Sequence, residues 1–311
     1  MKSGFSSQSK LPEFFTSRKS VIMKNILAPL VGLSCLLFFS TTTRAQGLID
    51  GFQKGGGNFD LALSYSYEQY SDFYVGDQKV SEPMLGDITT QSINLFAAVG
   101  ITDRIDAVLN LPYIFVNASN NSDLDQSSIQ DLSLCLKGRL LQTALGDQAR
   151  LRLLASAGLM VPLNDYVANA PVAVGHRATA LDGRLLAQVD FGMGLFAALQ
   201  GGYIWRGKVE VDGSDVEVPD AVDLILRTGI GTSKLYGDLW LQWQNAGDGT
   251  DIGPGVPFPS NAVSFLRIGG NVVVPVVGGL KTALGLGYTL TGENVGKALR
   301  VSGSIIYQFD R

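Results

Sequence analysis

Leu299-Arg300-Val301-Ser302-Gly303-Ser304-Ile305-Ile306-Tyr307-Gln308-Phe309 is the stretch whose reading decides the fold of this chain. Val301, Gly303, Ile305, Tyr307 and Phe309 fall on one face, while Arg300, Ser302, Ser304 and Gln308 fall on the other. Successive side chains alternate across a strand, so this pattern marks an extended segment with one apolar side. At about ten residues, such a strand is long enough to cross a bilayer at a tilt.

The same alternation recurs upstream. Phe59, Leu61, Leu63, Tyr65 and Tyr67 alternate with Asp60, Ala62, Ser64, Ser66 and Glu68. Residues 90–99 carry Ile93, Leu95, Ala97 and Val99 on one face. A tight turn, Gly100–Arg104, leads to Ala107, Leu109, Leu111, Tyr113 and Phe115 opposed by Asp106 and Asn110. Leu132, Leu134 and Leu136 oppose Asp131, Ser133, Lys137 and Arg139; Leu151, Leu153, Ala155 and Ala157 oppose Arg150, Arg152 and Ser156. Further strands are predicted at 178–189, 195–206, 222–231, 235–244, 262–274, 280–290 and 299–309. Short connectors alternate with long polar ones, the outer-membrane pattern, and the count of about twelve suits a closed single-chain barrel.

A soluble β-sandwich would also alternate. Two features favour the barrel. Tyr65, Tyr67, Tyr113, Phe115, Tyr203, Trp205, Trp243 and Tyr288 fall on apolar faces near one end of their strands, as an interfacial aromatic girdle would. The opposite faces carry Arg139, Arg152, Arg184, Arg206, Arg227, Arg267 and Arg300, so every apolar face has a charged reverse. The predicted fold is an all-β antiparallel transmembrane β-barrel of about twelve strands over residues 58–311.

With 37 glycines and 17% charged residues among 311, the composition also favours one β domain. Lys24, the apolar run Ile26–Phe39 and Thr41-Thr42-Thr43-Arg44-Ala45 read as a signal peptide over residues 1–45, cut after Ala45. The polar stretch before Met23 makes Met23 a second candidate start. A Gly-rich leader, residues 46–57, would then form a flexible entry to the barrel. Without residues 1–45 the chain has 18 basic and 27 acidic groups, a balance that argues against nucleic acid as a partner. Cys35 leaves with the signal and Cys135 stands alone, which excludes an internal disulfide or a cysteine metal site.

Several segments resemble the outer-membrane barrels named after the meta-pathway of phenol degradation, a transporter-like family. They are Gly100-Ile101-Thr102-Asp103-Arg104-Ile105-Asp106 with Leu111-Pro112-Tyr113, then Asp131-Leu132-Ser133-Leu134. Leu199-Gln200-Gly201-Gly202-Tyr203 with Arg206, and Gly292-Glu293-Asn294-Val295-Gly296-Lys297, complete the set. The resemblance implies a barrel and passage of small organic molecules, and it supplies no ligand-binding residues. The final strand is similar to the aromatic-terminated assembly signal of bacterial outer-membrane barrels. Tyr307 and Phe309 would carry that signal to the barrel assembly machinery of a Gram-negative cell, although Asp310 and Arg311 follow them.

Catalysis has little to stand on. A hydrolytic barrel needs a serine activated by a histidine, and the one histidine, His176, lies in a loop with no nucleophile pattern beside it. One histidine also leaves no pair for a metal. Asp123-Leu124-Asp125 and Asp212-Gly213-Ser214-Asp215 lack a complete calcium-loop signature and read as surface turns. No cofactor is expected.

The lumen is the remaining candidate site. By alternation Asp106, Asn110, Asp182, Arg184, Arg206, Asp223, Arg227, Asp238, Arg267, Asn271 and Arg300 point inward, with Asp60, Asp131, Lys137, Arg139, Arg152, Gln188 and Gln242. These charges either line a wet path that selects solutes or pair across the interior and seal it. Eight strands leave a filled interior and sixteen or more an open channel, so twelve admits a narrow one. Ala283, Gly285, Gly287 and Thr289 leave one inner face nearly bare, through a bend in the wall or room for solute. The favoured function is passive passage of small solutes, extending to small organic or aromatic molecules. The alternative is a sealed structural barrel displaying acidic loops, and an enzyme using His176 ranks third. Outer-membrane lipid is the expected partner, and the solute is unknown.

Overall fold

The computed structural model describes residues 49–81, 85–167, 174–211, 213–249 and 261–310. The expected signal peptide, Met23, Cys35 and the first three residues of the leader lie outside these, as do Asp212 and Arg311.

The elements, in chain order, are β1 (Phe59–Tyr70), β2 (Asp72–Val75), β3 (Gln78–Ser81), β4 (Ile88–Gly100) and β5 (Ile105–Ala118). Next come β6 (Gln126–Ile129), β7 (Leu132–Leu145), β8 (Ala149–Val161), β9 (Ala180–Phe191) and β10 (Leu195–Arg206). The hairpin β11 (Lys208–Val211) and β12 (Ser214–Glu217) precedes β13 (Ala221–Gly231) and β14 (Tyr236–Ala246). β15 (Ser264–Val277), β16 (Leu280–Glu293) and β17 (Leu299–Phe309) finish the chain. Among the described residues, twelve long strands pair antiparallel with their neighbours in sequence order, and β1 pairs with β17 to close the ring. The closing register sets Phe59 opposite Phe309 and Tyr65 opposite Gly303. Closure removes every sheet edge, the condition for a β-structure to sit in lipid.

The alternation read from the sequence is the division between outside and inside. Leu63, Leu134, Leu185, Leu239, Leu284 and Ile305 are exposed on the outer wall, whereas Asp60, Asp106, Lys137, Asp182, Asp223 and Asp238 are buried inside. Outward Tyr65, Tyr67, Tyr113, Tyr203, Trp205 and Trp243 form most of the predicted belt at one end, whereas Phe115 and Tyr288 are partly buried and Tyr288 also borders the lumen. The opposite end carries both termini of the barrel and the short turns. There Gly278 adopts φ +56° in the connection between β15 and β16, a conformation that favours glycine. By the turn-length rule this is the periplasmic, or inner, end.

Three features differ from the sequence reading. The outer loops hold the hairpins β2–β3 and β11–β12 and the short strand β6, none of which was foreseen. A bulge between Arg139 and Leu141 ends the regular alternation of β7. Arg139, just before the bulge, sits at the inner rim rather than along the cavity; its guanidinium donates to Gln142 Oε1 at 2.8 Å and to Asp103 O at 3.2 Å. Finally, the glycines at 55–57 do not form a loose entry. Gly57 N donates to Gly100 O and Gly100 N to Asn58 O, each at 2.9 Å, which ties the leader to the β4–β5 turn.

Candidate functional site

The lumen has a floor, a cavity and a partial cover. The floor is the segment just before β1, folded back inside the barrel. Ile49 packs on Ala98, Val108 and Cys135. Asp50 accepts from Lys137 Nζ at 2.9 Å, and Lys137 also stands 3.2 Å from Asp106. Phe52 meets Phe196 edge-on at 5.3 Å and Tyr236 at 6.2 Å, with the Arg152 guanidinium 5.0 Å above its ring. Gln53 Nε2 donates to Arg104 O, Lys54 N donates to the Asp106 carboxylate at 3.2 Å, and Lys54 Nζ pairs with Asp60. Gly51 is a glycine by necessity, because a Cβ there would overlap the Gln188 side chain. The inner half of the bore is thus filled by this segment and by inward Leu186, Phe196, Tyr236, Val273 and Ile306.

Above the floor lies a cavity of about 630 Å³ in the outer half of the barrel. Small polar side chains (Ser64, Ser66, Ser92, Asn94, Ser302 and Ser304) leave its space open, and Ile49 faces it from below. At the outer end Phe73 of β2 is buried with Leu85, Ile88, Val116, Tyr166 and Val174, so the first outer loop folds against the mouth. Tyr74 N donates to Val295 O at 2.9 Å and links that loop to the one between β16 and β17.

The eleven inward residues expected from the sequence divide into two groups. Asn110, Arg184, Asp223, Arg227, Arg267, Asn271 and Arg300 line the cavity. Asp106, Asp182, Asp238 and Arg206 do not. Asp106 is completely buried under Lys54 and Lys137. Asp182 is clamped by Arg184, with Nε and Nη2 donating at 2.8 Å, and the same guanidinium pairs with Asp223. Asp238 is buried and accepts from Tyr236 Oη at 2.7 Å and from Asn271 Nδ2 at 2.8 Å. Arg206 sits at the outer rim, where its N donates to Asp220 Oδ1 and its Nη1 to Pro219 O, both at 2.8 Å. Elsewhere in the lumen Arg152 pairs with Asp190, and Arg300 donates from Nε to Glu68 Oε2 at 2.7 Å. Tyr307 and Phe309 both face outward at the inner end, and Phe309 stacks on Phe59 at 5.1 Å across the closing seam.

The sequence reading missed Trp240, Glu68 and the whole 49–54 segment. Trp240 was within reach, since it stands between inward Asp238 and Gln242 on β14. A Cβ at Gly269 of β15 would overlap the indole, so that glycine makes room for Trp240, whereas one at Gly287 of β16 would meet it in ordinary contact at 3.5 Å.

His176 lies partly buried in the loop before β9. Burial and the nearby Arg206 guanidinium hold its pKa down at about 4, so the imidazole is neutral at physiological pH. Among the described residues no three histidine, cysteine or acidic side chains are grouped as a metal would need.

No protein-family model matches the chain, and no curated protein matches it. Among solved structures it is similar to an outer-membrane channel from Pseudomonas putida F1, at 17% identity and a TM-score of 0.68. That alignment covers 82% of this chain and 96% of the other. The NanC porin aligns over 81% of this chain and 100% of its own at 9% identity, with a TM-score of 0.46, and bears no weight here. The first likeness establishes the fold; together with the closed ring, the apolar exterior and its aromatic belt, it identifies a twelve-strand outer-membrane β-barrel in contact with lipid.

Proposed function

We propose that this protein is a passive outer-membrane channel for small solutes, with a range that extends to small organic and aromatic molecules. The observation that carries this reading is the cavity of about 630 Å³ held inside the barrel wall. A polar recess of that size falls within the roughly 300–1,000 Å³ typical of small-molecule sites. Asn110, Arg184, Arg227, Arg267, Asn271 and Arg300 are the proposed solute contacts, and Asp223, bound to Arg184 and Gln242, holds the wall beside them. Asp106, Asp182 and Asp238 would hold the wall and floor, and Arg206 the outer rim. Solutes in the cavity then pass the 49–54 segment, which is attached by hydrogen bonds and ion pairs, so its displacement sets the open state. On this reading the protein performs no catalysis. The name taken from phenol degradation remains part of the proposal and rests on the short segments quoted above.

Conductance and liposome swelling of the refolded protein, with sugars, aromatics and fatty acids, test the channel. A sealed structural barrel is the second reading, favoured by the buried Lys54–Asp60 and Asp50–Lys137–Asp106 contacts in the floor. The two diverge for Arg227→Ala and Arg267→Ala. In a wet path these shift the cation/anion permeability ratio with little change in stability, whereas absent conductance in the unaltered protein removes transport.

Two further proposals concern biogenesis. Residues 1–45 act as a signal peptide cut after Ala45, so sequencing of the membrane-extracted protein should begin at Gln46 or within a few residues. Tyr307 and Phe309 serve as the signal read by the barrel assembly machinery. Phe309→Ala, or loss of residues 307–311, should lower the heat-modifiable inserted protein in cells, and normal insertion would remove that role.

A further inference from the structure

The cavity has an unequal supply of hydrogen-bond donors and acceptors. The carboxylates lining it, Asp223 and Glu68, and the buried ones behind it, Asp182 and Asp238, are already occupied by neighbouring side chains. Asp223 accepts from Gln242 Nε2 at 2.8 Å and from Arg184 Nη1. Asp238 accepts from Asn271 N and Nδ2 at 3.0 and 2.8 Å and from Tyr236 Oη at 2.7 Å. Asp182 is taken by Arg184, and Glu68 by Arg300. The side chains of Asp223 and Asp238 are 1% and 0% exposed, so neither is offered to a solute.

The arginines are in the opposite state. A guanidinium carries five N–H donors and accepts nothing. Arg267 spends Nε on Thr289 Oγ1 at 3.1 Å and stacks on Phe265 at 4.2 Å. Among the described residues no carboxylate is ion-paired with it. Arg227 Nε lies 3.6 Å from Asp238 Oδ2, an ion pair too long for a hydrogen bond. Arg300 commits Nε to Glu68, and its side chain is half exposed. Counting the buried Asp182 and Asp238 just behind the lining, four arginines meet four carboxylates, so formal charge is balanced and the imbalance lies in unused donors.

These donors surround an aromatic surface. Strand register sets Arg227 directly opposite Trp240, Arg267 opposite Gln242 two residues along, and Arg300 opposite Gly287. Trp240 lies over Gly269 and Gly287 and lines the cavity with all three arginines. Planar forks of this kind match a carboxylate with two parallel hydrogen bonds, and an indole offers its face to a ring.

We propose that the cavity is a binding site for a small aromatic carboxylate, its anionic end on Arg227 and Arg267 and its ring against Trp240. The inference rests on the channel reading, since it names the class of solute that the path would favour. Calorimetry on the refolded full-length protein in detergent tests it, with benzoate, benzamide and benzylamine as probes. These share one ring and differ in charge. Benzoate should bind saturably, about ten- to a hundredfold tighter than benzamide, the range expected for hydrogen bonds to a charged group. Benzylamine should not bind. Arg227→Gln and Arg267→Gln, checked for heat modifiability, should each weaken benzoate about tenfold. Equal affinity for benzoate and benzamide overturns the proposal without needing any variant, as does a double variant that binds benzoate normally. Liposome swelling separates the two readings. Benzoate binding without solute flux keeps the site and removes the channel, and flux without benzoate binding removes the site and keeps the channel.

Discussion

The inner half of the lumen is solid, whereas the outer half holds a cavity, although both are walled by the same twelve strands. Inward positions of the inner half carry Leu186, Phe196, Tyr236 and Val273, and the 49–54 segment fills what they leave. Inward positions of the outer half carry serines, asparagines and glycines beside the arginines. Strand number fixes the bore, but side-chain size along each strand decides where the bore is empty. The difference extends to charge. Ion pairs in the floor are dry, with side chains 6% exposed or less, while the cavity arginines keep donors unspent.

The sharpest way to break this contrast is to cut an ion pair on each side. Asp106→Ala strips Lys54 N and Lys137 of a fully buried acceptor and should cost about 3–5 kcal/mol in reversible unfolding. Arg300→Gln in the half-exposed pair with Glu68 should stay within about 1 kcal/mol. Similar losses for both would mean the two halves are equally dry. Next in size is a control on the shared wall. Leu284→Arg, on the lipid face, should cost about 2–4 kcal/mol near the midplane, and Ser304→Arg, facing inward, much less.

A third pair sharpens the account of the cavity lining. Gly269→Ala forces a Cβ into Trp240 and Leu286 O and should destabilise by about 1–3 kcal/mol. At Gly287 the same Cβ finds ordinary contact with Trp240 at 3.5 Å, so Gly287→Ala should be close to neutral. The most functional effect is expected at Phe52. Its ring is only partly buried, so Phe52→Ala should loosen the floor and raise single-channel conductance while the barrel stays folded. Unchanged conductance would show that the 49–54 segment does not limit passage.

The sequence by itself determined the twelve barrel strands and their faces, though not the short strands of the outer loops. Lipid imposes a strict apolar partner at every second residue, and that constraint is local enough to read in Leu299–Phe309 or Phe59–Glu68 without knowing any neighbour. It also placed Arg184, Arg227, Arg267 and Arg300 inside, because alternation assigns a face. What it could not assign was depth or company. Asp106 and Asn110 share one face of β5, yet one is sealed beneath Lys137 and the other lines the cavity. Only the tertiary structure decided that, since the difference depends on where residues 49–54 come to rest. Their binding surface is assembled from Asp106 on β5, Lys137 on β7, Arg152 on β8, Phe196 on β10 and Tyr236 on β14. Those strands are brought together only when the barrel closes, so no periodicity along the chain records the contact.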